Sequence, residues 1–152
     1  MARFRFSLES VLSYRRFREE QELRRLAEGY RRERRAEAQL AAWRGELVRR
    51  QEEAGASGAD LGERLHTAVY LEFLAGRVRR QREELEGLRR EVRELEGCAA
   101  RASQERRALE RLRDHRREQW QYEEGRCSQR EADEMVLLRY GGSRWEEGGE
   151  EY

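Results

Sequence analysis

Apolar residues recur in this chain at alternating steps of three and four, and no proline interrupts its 152 residues. The pattern is carried by Leu26, Leu40 and Leu47 in the first half and by Leu85, Leu88, Val92, Leu95, Ala99, Ala102 and Leu109 in the second. A mean spacing of about 3.5 residues keeps one narrow apolar stripe turned toward a partner helix. The spacing therefore predicts an all-α chain whose long helices pair as a coiled coil.

Charged residues make up 43% of the chain and apolar residues 37%, which is too little apolar surface for a layered globular domain. Lysine is absent, so the 33 basic side chains are all arginine, and they face 32 acidic ones for a net charge of +1. Nucleic-acid-binding proteins usually carry a basic excess because their affinity comes largely from neutralising phosphates. The charge balance therefore predicts a protein that binds no nucleic acid.

The positions of the helix-breaking residues predict that residues 1–140 form one antiparallel two-helix hairpin. Helix one is expected over about 7–53, with Ser7 as its N-cap, and helix two over about 61–139, with a kink near Gly76. The glycines and small residues of 54–60 predict the bend, and Ser57 or Asp60 is expected to cap helix two. The glycine- and glutamate-rich residues 141–152 predict a disordered acidic tail.

Two features of the helices indicate that the pairing is incomplete. Glu33 and Glu37 fall where the apolar stripe of helix one should continue. Helix two is much longer than helix one, and its first part, Leu61 to Ala75, has a broader apolar face than a two-helix seam requires. We therefore expect partners to cover some of this surface.

No motif for catalysis, a cofactor or a metal is present in the sequence. His66 and His115 are isolated histidines, and the abundant carboxylates are expected on solvated helix faces. Cys98 and Cys127 would lie roughly 43 Å apart on one helix, too far for a disulfide. With no long apolar run and no signal peptide, the sequence predicts a cytoplasmic non-enzyme without cofactor or small-molecule substrate.

Aromatic residues on both sides of the bend are the best candidates for a functional surface. Trp43, Tyr70 and Phe73 are expected near that end of the hairpin, either as ordinary seam packing or as a docking patch anchored by aromatic side chains. Trp120 and Tyr122 lie beyond the regular heptads. They either pack on the basic, aromatic N-terminal arm or are held by a partner.

Both ends of the chain resemble FliJ-type proteins of the flagellar export apparatus. The resemblance lies in the run Phe4-Arg5-Phe6-Ser7-Leu8-Glu9-Ser10-Val11-Leu12-Ser13-Tyr14-Arg15, in Glu19-Glu20 and Leu26-Ala27, and in Leu109-Glu110, Leu112, Arg116, Gln129 and Asp133-Glu134. It covers nearly the whole chain. The N-terminal run is its most specific part.

The resemblance implies a two-helix stalk that enters the hexameric ring of the flagellar export ATPase, reaches the membrane-embedded export gate and cycles export chaperones. It implies a gate-binding face near the bend, to which Gln39, Trp43 and Phe73 correspond by position. Other positions of that face are charged here where the family often has apolar or neutral groups, namely Glu46, Arg50, Arg77, Arg80 and Glu84. With Tyr70 from the aromatic pattern, Gln39, Trp43 and Phe73 form the predicted partner-binding site.

The predicted function is therefore that of a stalk and chaperone-handling factor of flagellar type III export, acting in motility at the cytoplasmic face of the inner membrane. Two alternatives remain at this point. One is a generic structural coiled coil that forms a homodimer. The other is the equivalent stalk of an injectisome-type secretion system.

Overall fold

Two long helices make up almost all of the part of the chain that the structure describes, residues 3–56 and 58–142 of a computed structural model. Helix α1 spans Glu9–Ala56 and helix α2 spans Leu61–Gly142, with 48 and 82 residues. The described residues contain no strand, which confirms the predicted all-α class. Helix α2 continues through Gly76, where the proposed kink stays a prediction, and the tail beyond 142 lies outside the described residues.

Asp60 caps the N-terminus of α2. Its Oδ1 accepts a hydrogen bond from the Leu61 amide at 2.7 Å, and its carbonyl accepts the first intrahelical bond, from the Arg64 amide, at 3.0 Å. A short polar side chain at this position satisfies an amide that the helix leaves without a carbonyl partner. Of the two predicted caps, Asp60 therefore fills the role, and Ser57 lies outside the described residues.

The prediction that Ser7 caps α1 is wrong. The first intrahelical bond runs from the Leu12 amide to the Leu8 carbonyl at 2.9 Å, so the capping position belongs to Leu8. The Ser7 hydroxyl instead accepts a hydrogen bond from Nη1 of Arg116 at 3.1 Å. The Ser7 side chain is thus linked to α2 by a guanidinium group.

The described residues form two units, of which unit 2 comprises 14–56 and 58–105. Within it α1 and α2 pair antiparallel, because residues later in α1 contact residues earlier in α2. Arg32 is bonded to Glu91 at 2.8 Å, whereas Arg50 lies over the ring of Tyr70. Unit 2 is therefore the helical hairpin that the sequence predicted.

The core of unit 2 is a narrow seam. Ala36, Leu40, Val78 and Leu85 form its buried cluster, and Trp43, Leu47 and Leu88 pack against it half-buried. On α1 the seam follows steps of three and four through Leu26, Gly29, Glu33, Ala36, Leu40, Trp43 and Leu47. Of the remaining predicted seam residues, Val92 is buried and Leu26 and Leu95 are half-buried, while the half-buried Leu109 belongs to unit 1. Such alternation is the geometry of a coiled-coil interface.

Gly29 is buried within the seam, opposite Leu95. A Cβ atom built on Gly29 would lie 2.9 Å from Cδ1 of Leu95 and 3.4 Å from Cγ2 of Val92. The leucine side chain therefore occupies the space that a larger residue on α1 would need. The glycine lets large side chains of α2 approach the backbone of α1 closely.

The two glutamates that break the apolar pattern pair with an arginine at the edge of the seam. Arg89 on α2 donates through Nη2 to Glu37 at 2.8 Å and through Nε to Glu33 at 3.3 Å. The hydrogen bond to Glu37 raises the pKa of Arg89 above its ordinary value, and the bond to Glu33 acts in the same direction. One guanidinium on the facing helix thus satisfies both carboxylates.

Unit 1 comprises residues 3–13 and 106–142. Here the N-terminal arm, residues 3–6, lies against α2. The rings of Phe4 and Trp120 are 6.0 Å apart at an angle of 49°, while Phe6 and Leu12 are buried. Trp120 therefore packs on the N-terminal arm, whereas Tyr122 is 68% exposed, and contact of either residue with a partner stays a prediction.

Neither helix, over its described residues, holds a stretch long and apolar enough to span a bilayer.

Candidate partner-binding site

Aromatic side chains of both helices meet in unit 2, near the end of α1 and the start of α2. The rings of Tyr70 and Phe73 stack with centroids 6.2 Å apart and an angle of 23° between their planes. They lie three residues apart on α2, a spacing that places side chains on neighbouring parts of one helix face. Trp43 approaches from α1, where it also packs against the buried seam.

Arg77 joins the aromatic residues of the two helices. Its Cζ atom lies 4.9 Å from the centroid of the Trp43 ring and 5.5 Å from that of Phe73. A guanidinium over an aromatic face is attracted by the ring quadrupole, by about 0.5–1 kcal/mol at an exposed site. The arginine thereby positions two rings that come from different helices.

Arg50 extends the arrangement toward the bend. Its Cζ atom lies 5.6 Å from the Tyr70 centroid, and its guanidinium also donates to Glu46 at 2.9 Å and to Glu53 at 3.3 Å. Arg49 bonds to Glu46 as well. We call the set Trp43, Arg50, Tyr70, Phe73 and Arg77 the arginine–aromatic cluster.

Much of the arginine–aromatic cluster faces solvent. Tyr70 is 36% exposed and Phe73 is 49% exposed. Aromatic residues and arginine are the side chains most enriched among the anchors of protein interfaces, where partner binding removes them from water. The cluster therefore has the composition and exposure of a protein-binding surface.

An apolar stripe on α2 runs into the cluster. Leu61, Leu65 and Val69 are 81%, 68% and 65% exposed, and with Phe73 they follow steps of four residues. The half-buried Leu71 and the buried Leu74 and Val78 lie on a different face, toward α1. We call Leu61, Leu65, Val69 and Phe73 the outer stripe. It accounts for the broad apolar face that the sequence shows over Leu61 to Ala75.

The structure brings three of the four predicted site residues together. Trp43, Tyr70 and Phe73 belong to one cluster, whereas Gln39 is exposed on α1, four residues before Trp43. The seam-packing interpretation applies to Trp43, whereas the docking-patch interpretation stays a prediction. Trp43 packs in the seam, and Tyr70 and Phe73 remain exposed. A role for all four residues in partner binding stays a prediction.

Sequence reasoning missed the part that Arg50 and Arg77 play. Both stood out only as charged positions where FliJ-type proteins often have apolar or neutral groups. The spacing of Arg77, four residues after Phe73 and therefore on the same helix face, is the signal that would have found it. The pairing of Arg50 with Tyr70 crosses between helices and depends on their register.

The sequence contains potential metal-ligating side chains, among them the isolated histidine near the bend. The described residues contain no group of three His, Cys, Asp or Glu side chains placed to hold a metal ion. His66 lines a shallow groove with Thr67 and Tyr70, close to Arg50 and Glu53, and no second histidine lines that groove.

The fold and the cluster define the chain as a two-helix hairpin with an exposed arginine–aromatic surface. The model of the family described as flagellar FliJ protein matches residues 4–144 of the chain. The chain therefore belongs to the FliJ family, and it is a flagellar, export-related protein. This family is a non-enzymatic component of export.

Neither the search of curated proteins nor the search of solved structures gives a significant match. The family match nevertheless confirms the resemblance that the two ends of the sequence predicted.

Proposed function

We propose that this chain is the central stalk of the flagellar export ATPase ring, that it couples the ring to the membrane-embedded export gate, and that it handles export chaperones. Membership of the FliJ family supports a role in flagellar export. The observation that carries the proposal is the exposed arginine–aromatic cluster at the bend end of unit 2, a surface suited to a protein partner.

The dimensions of unit 2 support a stalk. Two helices of about 10 Å each, side by side, measure about 20 Å across, which is thin enough to enter the bore of a ring-shaped partner. Their outer faces carry arginines and glutamates in alternation, and a guanidinium group forks readily onto the carboxylates of a partner. One asymmetric stalk meets six identical subunits unequally, which favours weak and exchanging contacts.

The stalk role is tested by co-purification of the chain with the flagellar export ATPase and by measurement of ATP hydrolysis. We expect the two proteins to co-purify and hydrolysis to be stimulated. Light scattering of the free chain separates this proposal from a homodimeric structural coiled coil, because the hairpin allows a monomer whereas the structural coiled coil requires a dimer. An obligate dimer that leaves the ATPase unaffected would contradict the proposal.

The gate-binding role is tested with substitutions of exposed residues of the arginine–aromatic cluster. We expect Tyr70→Ala with Phe73→Ala to reduce secretion and motility while co-purification with the ATPase is retained. Trp43 is less suitable, because its ring also packs in the seam and its loss would destabilise unit 2. Tyr122→Ala is the matched control, since Tyr122 is a 68% exposed aromatic residue in unit 1. Unaltered motility in the double variant would refute the site assignment.

We further propose that the chain acts in the cytoplasm and associates peripherally with the inner membrane at the flagellar base. Cell fractionation tests this location. We expect the chain in the soluble fraction of cells that lack the export gate and partly in the membrane fraction of cells that contain it. An equal distribution in the two strains would contradict gate-dependent association.

A further inference from the structure

A groove in unit 1 gathers positive charge and aromatic rings from the two ends of the described chain. The N-terminal arm contributes one wall and α2 contributes the other. The groove is lined by four arginines, namely Arg3, Arg5, Arg113 and Arg117. We call it the arm groove. It shares no residue with the arginine–aromatic cluster of unit 2.

The aromatic side chains that line the arm groove are held in place by packing. Phe4 and Trp120 hold each other at a centroid distance of 6.0 Å, and Phe6 is buried, with 8% of its surface exposed. The bond from Arg116 to the Ser7 hydroxyl links the end of the arm to α2. The groove therefore presents apolar surface beside its guanidinium groups without first having to fold.

Positive charge in the arm groove is largely uncompensated. Glu9 is the single carboxylate among its lining residues, so the arginines exceed it by three charges. Arg113 contacts the neighbouring Asp114 at 3.4 Å. Within the described part of the chain, Arg3, Arg5 and Arg117 form no hydrogen bond or ion pair. Three guanidinium groups that line one groove and form no ion pair with a carboxylate there favour an anionic ligand.

We propose that the arm groove binds an acidic segment of a partner protein, in which carboxylates flank an apolar side chain. The carboxylates pair with the guanidinium groups of Arg3, Arg5 and Arg117, and the apolar side chain packs on the rings of Phe4 and Trp120. A peptide suits this groove better than a nucleic acid does, because Glu9 interrupts the positive lining that a continuous row of phosphates would need. The proposal does not depend on the stalk function.

Trp120 provides a reporter for the experiment. The full chain with Trp43→Phe and Trp145→Phe retains Trp120 as its single tryptophan. The probe is a short peptide of glutamates with a leucine at its centre, and Trp120 emission is followed as the peptide is added. We expect a saturable change in emission. Affinity should fall about tenfold between ~0.05 and ~0.5 M NaCl, because charge pairing drives binding.

Two matched variants separate the groove from the general charge of the helix. We expect Arg3→Gln with Arg117→Gln to weaken peptide binding about tenfold, since each arginine contributes a charge-assisted hydrogen bond. Arg111→Gln removes an exposed arginine of the same helix that does not line the groove, and it should leave binding unchanged. Far-UV circular dichroism verifies that each variant keeps its helix content.

Several results would overturn the proposal. The first is the absence of a saturable change in Trp120 emission. The second is equal affinity for a peptide in which glutamine replaces every glutamate. The third is equal loss of binding in the Arg111→Gln control. The fourth is tighter binding of a single-stranded oligothymidylate than of the glutamate peptide, which would assign the groove to nucleic acid.

Discussion

The guanidinium group of Arg77 lies 4.9 Å above the indole ring of Trp43, and these two residues come from opposite helices of unit 2. The tryptophan packs on the buried seam on one side and meets the arginine on the other. The same guanidinium lies over Phe73, so it connects the interior of the hairpin to its exposed aromatic surface.

We expect the pair to be measurable in a double-mutant cycle. Trp43→Leu and Arg77→Met should each destabilise unit 2. Together they should cost less than the sum by about 0.5–1 kcal/mol, because each single change already removes the cation–π contact. Thermal or urea unfolding followed by circular dichroism measures the free energies. Arg80→Met, on the same helix, is the control and should show no coupling to Trp43.

Replacement of glycine by alanine should distinguish helix positions with open space around them from positions packed in the seam. A Cβ atom on Gly45 of α1 would meet no described atom within 4 Å beyond its own stretch of helix, so Gly45→Ala should stabilise the protein by about 1 kcal/mol through helix propensity. Gly29→Ala should show little or none of this gain, because its Cβ would meet Leu95 at 2.9 Å. The comparison uses the melting temperatures of the two variants. Equal stabilisation by both would show that Leu95 yields without cost.

Tyr30 should titrate at higher pH than an ordinary tyrosine. Its hydroxyl donates to Oε1 of Glu96 at 2.5 Å, and this hydrogen bond raises the pKa of Tyr30. A raised pKa in the folded state gives stability that is fully present below the pKa of the unfolded chain. This stability is lost as pH rises through the folded value.

The phenolate absorbance of the parent chain minus that of Tyr30→Phe isolates the titration of Tyr30. Glu96→Gln is the matched control, and in it we expect the pKa of Tyr30 to fall back toward its ordinary value. A titration of Tyr30 that is the same with Glu96 and with glutamine at this position would refute the assignment of the hydrogen bond.

The two cysteines should differ in reactivity toward a thiol reagent. Both are free thiols, Cys98 half-buried and Cys127 exposed on α2. Reaction requires access to the thiolate, so we expect Cys127 to be labelled several-fold faster than Cys98 at neutral pH. Single variants Cys98→Ser and Cys127→Ser assign the two rates. Faster labelling of Cys98 would mean that the seam near residue 98 opens readily.

The helices and their pairing could be predicted because both follow from periodicity. Steps of three and four residues identified Leu40, Leu85 and Val92, all of which are buried. The N-terminus of α1 was predicted one residue too early, since the capping position belongs to Leu8 and not to Ser7. The hydrogen bond between Ser7 and Arg116 joins residues more than a hundred positions apart, and local capping rules do not include such contacts.

The candidate site was predictable only in part. Aromatic residues on both sides of a glycine-rich bend indicated the cluster of Trp43, Tyr70 and Phe73. The contribution of Arg50 and Arg77 depends on which residue of α2 faces which residue of α1, and hydrophobic spacing sets that register only loosely. The arm groove brings together Arg5 and Arg117, more than a hundred residues apart in the sequence, and no local pattern indicates that they line one groove.

The four-residue spacing of the outer stripe limits how a partner helix can lie on it. Side chains four residues apart form a ridge that is inclined to the helix axis, and helices that interlock along such ridges cross at about 50°. Crossing helices diverge within a few turns on either side of their closest point. Any helix packed on Leu65 and Val69 would therefore contact α2 over a short length, which suits a partner that binds reversibly.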